Sequence, residues 1–162
     1  MKKALMFTLA LVFGFTLKAS DVPKTLPPAM YDAMKSGKKL DKVFVDPAYG
    51  KLAGFKVAPI DYKAENRSTA VLEGMTKSLG MLAKSDSVYT LHVTVIKVTT
   101  KTFTGFGSVM GKVTVEGRIV DADGKVVVAF VTGERAGSFA TAADDYQVAC
   151  DKIASAIAKD LL

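Results

Sequence analysis

His92 is the one imidazole in this 162-residue sequence, and it sets the limit on what chemistry the chain can offer. A histidine acting as general base needs a nucleophile within hydrogen-bond reach. The candidates are Thr90, Thr94 or a serine from a facing strand. No Gly-x-Ser-x-Gly elbow is present to hold a hydrolase serine. The single thiol, Cys150, falls on the apolar stripe of a predicted helix, where cysteine behaves as a small hydrophobe. One histidine and one cysteine do not make a transition-metal set. Asp144 and Asp145 are adjacent, so on a helix they point about 100° apart and do not form an acid/base pair. They read as a solvated helix start, favourable for the helix dipole. Asp121-Ala-Asp-Gly124 resembles the opening of a calcium loop, but the later ligands and the closing glutamate are missing. Gly105-x-Gly107-x-x-x-Gly111 joins strand to strand, whereas a phosphate loop needs a helix N-terminus behind it. The sequence therefore predicts no catalytic residue, no cofactor and no metal ligand. His92 is expected as an exposed residue on the polar face of a strand.

The elements that carry these residues are legible from their periods. Tyr89, Leu91, Val93 and Val95 alternate with Thr90, His92 and Thr94. Val113, Val115 and Ile119 alternate with Thr114, Glu116 and Arg118. A period of two places apolar side chains on one face of a strand. This predicts a long hairpin, Val88–Thr102 with Gly111–Asp121. A third strand, Lys125–Thr132, follows across the Asp-Gly turn. Thr132–Phe139 reads as a loop. Upstream, Val43–Val45 is a short strand, and Lys56–Tyr62 is another, with Pro59 arguing for an edge or a bulge. Ser68–Lys84 is a helix with Leu72, Met75, Leu79 and Leu82 in one stripe. Ala143–Leu162 is a second, with Tyr146, Cys150, Ile153, Ile157 and Leu161. The expected fold class is α+β: a two-layer α/β sandwich, a mainly antiparallel sheet with both helices packed on one face and the other face wet.

The N-terminus has the order of a secretory signal. Lys2 and Lys3 precede the apolar run Ala4–Leu17, and small Ala19 and Ser20 follow. The run is shorter than the roughly 20 residues a spanning helix needs. Residues 1–19 are thus expected to be removed, with 20–41 a proline-containing linker and 42–162 a single domain. The formal charge is +6, and Lys2, Lys3 and Lys18 lie in the removed segment, which leaves a mild +3. With no concentrated basic face, nucleic acid is not an expected partner. The expected location is the periplasm or the outer-membrane periphery.

Two stretches carry a family resemblance: Val43-Phe-Val-Asp-Pro47 followed by Gly54-Phe-Lys-Val-Ala-Pro-Ile-Asp-Tyr62, and Val113–Lys125 with the helix Ile153–Leu161. The chain resembles uncharacterised bacterial envelope proteins, the domain-of-unknown-function families numbered 3313 and 4410. Members are mostly lipoproteins without an assigned activity, so the resemblance implies no catalytic residues. This chain departs from them in lacking a cysteine just after the signal.

The loop Phe103–Gly111 sets Phe103, Phe106, Val109 and Met110 among glycines at the end of a long hairpin. Apolar side chains at such a tip predict either a contact surface for an envelope protein partner, a second copy of the chain, or the membrane periphery, or a loop that folds back to pack on the protein's own helices. The expected function is a non-catalytic exported binding or assembly module. The alternatives are a periplasmic hydrolase centred on His92, marked by converging polar groups around it, and a lipid-handling protein, marked by an apolar cavity between sheet and helices.

Overall fold

The computed structural model describes residues 25–49, 51–100, 111–137 and 142–162, together with the backbone of 102–104 and 107–109; for 142–144 it describes the backbone alone. The elements are α1 (Pro28–Ala33), β1 (Lys42–Val45), β2 (Lys56–Val57), β3 (Asp61–Tyr62), α2 (Thr69–Gly80), β4 (Thr90–Thr99), β5 (Thr102–Thr104), β6 (Gly107–Val109), β7 (Lys112–Val120), β8 (Val126–Arg135) and α3 (Ala142–Leu161). The main sheet runs β1-β8-β7-β4-β2, with β3 also paired to β4. The predicted meander is its centre: β4, β7 and β8 are antiparallel neighbours. The class is α+β, as the alternation implies.

Register decides what each face carries. Leu91 lies opposite Ile119, Val93 opposite Gly117 and Val95 opposite Val115. All of these are buried on the side covered by α2 and α3. The tight turn before β8 is closed by Gly124, whose φ of +80° is the left-handed conformation glycine adopts without strain. Asp121 Oδ1 accepts from the backbone N–H groups of Asp123 and Lys125 at 3.0 and 2.9 Å.

Both helices begin and pack for readable reasons. Ser68 Oγ caps α2 by accepting from Val71 N–H at 3.3 Å. The buried positions of α2 are Val71, Gly74, Met75, Ser78 and Leu79: Met75 and Leu79 of the predicted stripe are fully buried and Leu82 packs at its edge, while the inner face is rotated toward Val71, Gly74 and Ser78. The reason is α3: at Gly74 an added Cβ would stand 3.2 Å from Cys150 Sγ, and the glycine lets the two helices approach. The α3 stripe of Tyr146, Cys150, Ile153, Ile157 and Leu161 is buried as its spacing predicts. Between the layers, Phe55, Met75, Leu79, Phe130, Ile153 and Ile157 are fully enclosed and fill the space.

Three expectations are corrected. The strand after the Asp-Gly turn does not stop at Thr132: Gly133, Glu134 and Arg135 continue β8, paired with Thr114, Val113 and Lys112. Asp145 is buried, not solvated. The second sheet face is not simply wet, because residues from Thr25 to Met34 lie across it.

Candidate functional site

That covering segment, termed the strap here, begins from a short helix. Pro28 stands in the first turn of α1, where its missing N–H costs nothing. Leu26 and Met34 are buried together with Ala129 of β8, and Met30, Tyr31, Phe44, Val126 and Val131 pack around them. The strap then turns back as a hairpin. Lys35 and Val43 exchange backbone hydrogen bonds at 2.9 and 2.7 Å. Asp160 Oδ2, near the end of α3, accepts from Lys39 N–H and Leu40 N–H, both at 2.9 Å.

The other attachment of the strap is Glu116. On β7 this residue points to the outer face, and it is only 2% exposed. Its Oε2 accepts from the backbone N–H and the hydroxyl of Thr25 at 2.6 and 2.5 Å. Its Oε1 accepts from the Tyr31 hydroxyl, which in turn accepts from Leu26 N–H at 3.1 Å. Burial, and then the hydrogen bond to Glu116, push the Tyr31 phenol up to about 12. A buried carboxylate is tolerated when its oxygens are satisfied in this way.

Glu116→Ala leaves three strap donors without an acceptor. We expect a stability loss on the order of 2–3 kcal/mol, smaller than the sum of the bonds because a released strap regains water. Limited proteolysis should cut the variant within residues 25–34 while the rest of the domain persists. Glu116→Gln, which keeps an acceptor oxygen, should lie between. A strap as protease-resistant in Glu116→Ala as in the parent chain would disprove the role of Glu116.

Beside the strap a cavity of about 160 Å³ opens between Thr25 and the edge formed by β2 and β3. The edge is split there: Ala58 N–H donates to Leu91 O and Lys63 N–H to Val95 O, but Pro59 between them has no N–H. The floor is polar. His92 lies opposite Arg118, and Thr94 opposite Glu116, on β4 and β7. Asp61 pairs with Thr94 from the other side. His92 is therefore half-buried in a cavity wall and not, as the alternation suggests, simply exposed. Burial, followed by the nearby Arg118 guanidinium, lowers its pKa.

Converging polar groups do surround His92, but a nucleophile–base pair is not formed. Among the described residues His92 makes no hydrogen bond to Thr90, Thr94 or any other hydroxyl. Elsewhere, Ser78 Oγ donates to Asp151 Oδ1 at 2.6 Å and accepts from Gln147 Nε2 at 2.9 Å, with no imidazole in the group. Burial, then the charge of Asp151, push the Cys150 thiol up to about 12, which keeps it protonated and inert. Among the described residues no three His, Cys, Asp or Glu side chains come together to hold a metal. No helix among them is long and apolar enough to cross a membrane.

The tip residues Phe103, Phe106, Val109 and Met110 are placed only in part. The backbone of β5 and β6 forms a two-stranded antiparallel ribbon in which Phe103 lies opposite Ser108 and Thr102 opposite Val109. Their side chains, and Phe106 and Met110 altogether, fall outside the described residues. Sequence reasoning missed the Glu116 attachment. Its only trace was an acidic residue between Thr114 and Arg118 on the outward face of the strand.

No family model matches the sequence, and no curated protein matches it. Among solved structures the chain is similar to a PelC dodecamer from Paraburkholderia phytofirmans, with a TM-score of 0.48 and 16% identity over 70% of this chain and 95% of that one. It is also similar to a lipoprotein from Neisseria meningitidis, with a TM-score of 0.37 and 17% identity over 67% of this chain and 100% of the other. A hypothetical protein from Chlamydia trachomatis has a TM-score of 0.47 and 10% identity over 66% and 95%.

Proposed function

We propose that this chain is an exported, non-catalytic module of the bacterial cell envelope that binds or assembles with a protein partner or with a second copy of itself. The observation that carries the reading is the wiring around His92. The buried carboxylate in its wall, Glu116, is engaged by three donors of the strap and is not left to move protons. Among the described residues His92 makes no hydrogen bond to a hydroxyl. The filled space between the layers weighs against the lipid-handling alternative. The order of residues 1–20 supports export, and the resemblance to the envelope families 3313 and 4410 agrees with it. Phe103, Phe106, Val109 and Met110, in the sequence between β4 and β7, are the proposed contact element.

One preparation tests both halves of the reading. Protein recovered from the periplasmic fraction should have an intact mass that begins near Ser20. Cross-linking in intact cells should then yield a defined adduct that Phe103→Ser with Phe106→Ser removes without lowering Tm. Full-length chain confined to the cytoplasm would reject export. A discrete adduct unchanged by the double substitution would reject the tip as the contact element.

A further inference from the structure

The cavity beside the strap is lined by a guanidinium, Arg118, whose nearest strand neighbour of opposite charge is engaged by the strap. Arg118 and Glu116 are two residues apart on β7, so both point to the outer face. They would be natural partners, but both Glu116 oxygens are taken by Thr25 and Tyr31. The next carboxylate, Asp61, stands 3.9 Å from Lys63, and both side chains are more than half exposed. Arg118 is left with no ion pair and no hydrogen bond among the described residues. Its cross-strand neighbour is His92, a second group that gains positive charge on protonation. Directly paired residues of antiparallel strands have Cα atoms about 5 Å apart, so the guanidinium and the imidazole reach one volume.

We infer that this cavity is a binding site for a compact oxyanion, a carboxylate or phosphate group held between Arg118 and His92. The donor set suits it. A guanidinium fork grips two oxygens of such a group in parallel. The His92 ring N–H and the Thr94 hydroxyl can supply further donors from the cavity lining. The size suits it as well: about 160 Å³ is close to the roughly 150 Å³ that encloses a benzene ring. A single headgroup fits and a nucleotide does not. The site is distinct from the ribbon tip and stands whether or not the chain is exported.

The charge balance also sets how binding responds to pH. The charged groups facing His92 are Arg118 and Glu116 from β7 and Asp61 and Lys63 from the β3 edge. The strap adds only Thr25 and Leu26 to the lining, and β8 presents Ala129 beyond Arg118. Without an anion, burial and then Arg118 lower the pKa of the imidazole. A bound anion reverses the second effect, so it must raise the His92 pKa. By linkage the same anion binds more tightly below that pKa than above it.

A single histidine makes the test clean, because its imidazole ring protons give one set of resonances. Inorganic phosphate and acetate are titrated separately into the full mature chain at constant ionic strength, balanced with chloride. The expected result is a saturable shift of the His92 signal by at least one of the two, with an upward move of its pKa. Saturation by acetate alone assigns a carboxylate ligand, and saturation by phosphate alone a phosphate. Arg118→Gln should weaken the response about tenfold or more, the loss of one charged hydrogen-bonding partner. Arg118→Lys, which keeps the charge but not the fork, should fall between. Lys152→Gln, on the far side of the molecule on α3, should change nothing. Arg118 is exposed, so these variants should fold, and the remaining spectrum reports that they do. A linear, non-saturating shift with both anions, or an equal response in Arg118→Gln, would overturn the site.

Discussion

Ile157→Ala should destabilise the domain by about 2–5 kcal/mol. Ile157 is 0% exposed and belongs to the core cluster that α3 shares with the sheet and α2. Truncation removes three carbon atoms from a site whose walls are held independently. The sheet wall is fixed by the β4–β7–β8 ladders, and the helix wall by the close α2–α3 contact at Gly74. Neither wall can move in to fill the gap, so the upper half of the range is the better expectation. In a domain of this size the loss corresponds to a fall in Tm of roughly 5–15 °C. Val148→Ala, at an exposed position of the same helix, is the matched control and should shift Tm by little. An unchanged melting curve for Ile157→Ala would mean that α3 does not dock as described.

The second large effect is expected from adding a single methyl group. An ideal Cβ at Gly117 would lie 2.1 Å from Phe130 Cζ and 2.4 Å from Cε1. The buried Phe130 ring occupies the place a side chain would take, directly across from the glycine. Glycine in a strand costs about 0.5–1 kcal/mol relative to alanine. Gly117→Ala regains that amount but must drive an aromatic ring out of a filled core. Overpacking of this kind costs about 1–3 kcal/mol and occasionally more. The clash therefore outweighs the propensity gain, and a net loss of about 2 kcal/mol or more is expected. Phe130→Leu destabilises on its own by leaving a gap, but combined with Gly117→Ala it should recover part of the cost. The sign of the coupling in this double-mutant cycle is the test. Strict additivity would mean that the ring does not rest on the glycine.

Individual residues of the core and the strap show what the sequence could and could not disclose. The alternation across 89–95 and 113–119 identified the meander and sorted most of its side chains by face. It placed Val93 in the core, and the helical stripe from Tyr146 to Leu161 placed Ile157 there, without reference to any partner. The pattern failed where the deciding contact was remote. Gly133 looked like a loop residue because nothing local reveals that Thr114 pairs with it. His92 looked exposed because its cavity is walled by Thr25 and by the edge at Pro59, neither of which leaves a mark on the strand's own period. Leu26 and Met34 of the strap are too widely spaced for a periodic stripe, so their burial appears only against Ala129. Glu116 was read as an ordinary outward charge because its three donors lie 85 and 91 residues away.

Those separations bear on how the chain comes to be folded. A ribosome delivers the N-terminus first. The strap cannot settle until Glu116 exists, and its hairpin cannot be held until Asp160, in the last turn of α3, has emerged. β1 waits likewise for β8. Contacts of such long range form slowly. During synthesis the first third of the molecule therefore has no finished surface to join, and it stays an open, threadable polypeptide. Only when the last turn of α3 is made can the strap and β1 close on their partners together.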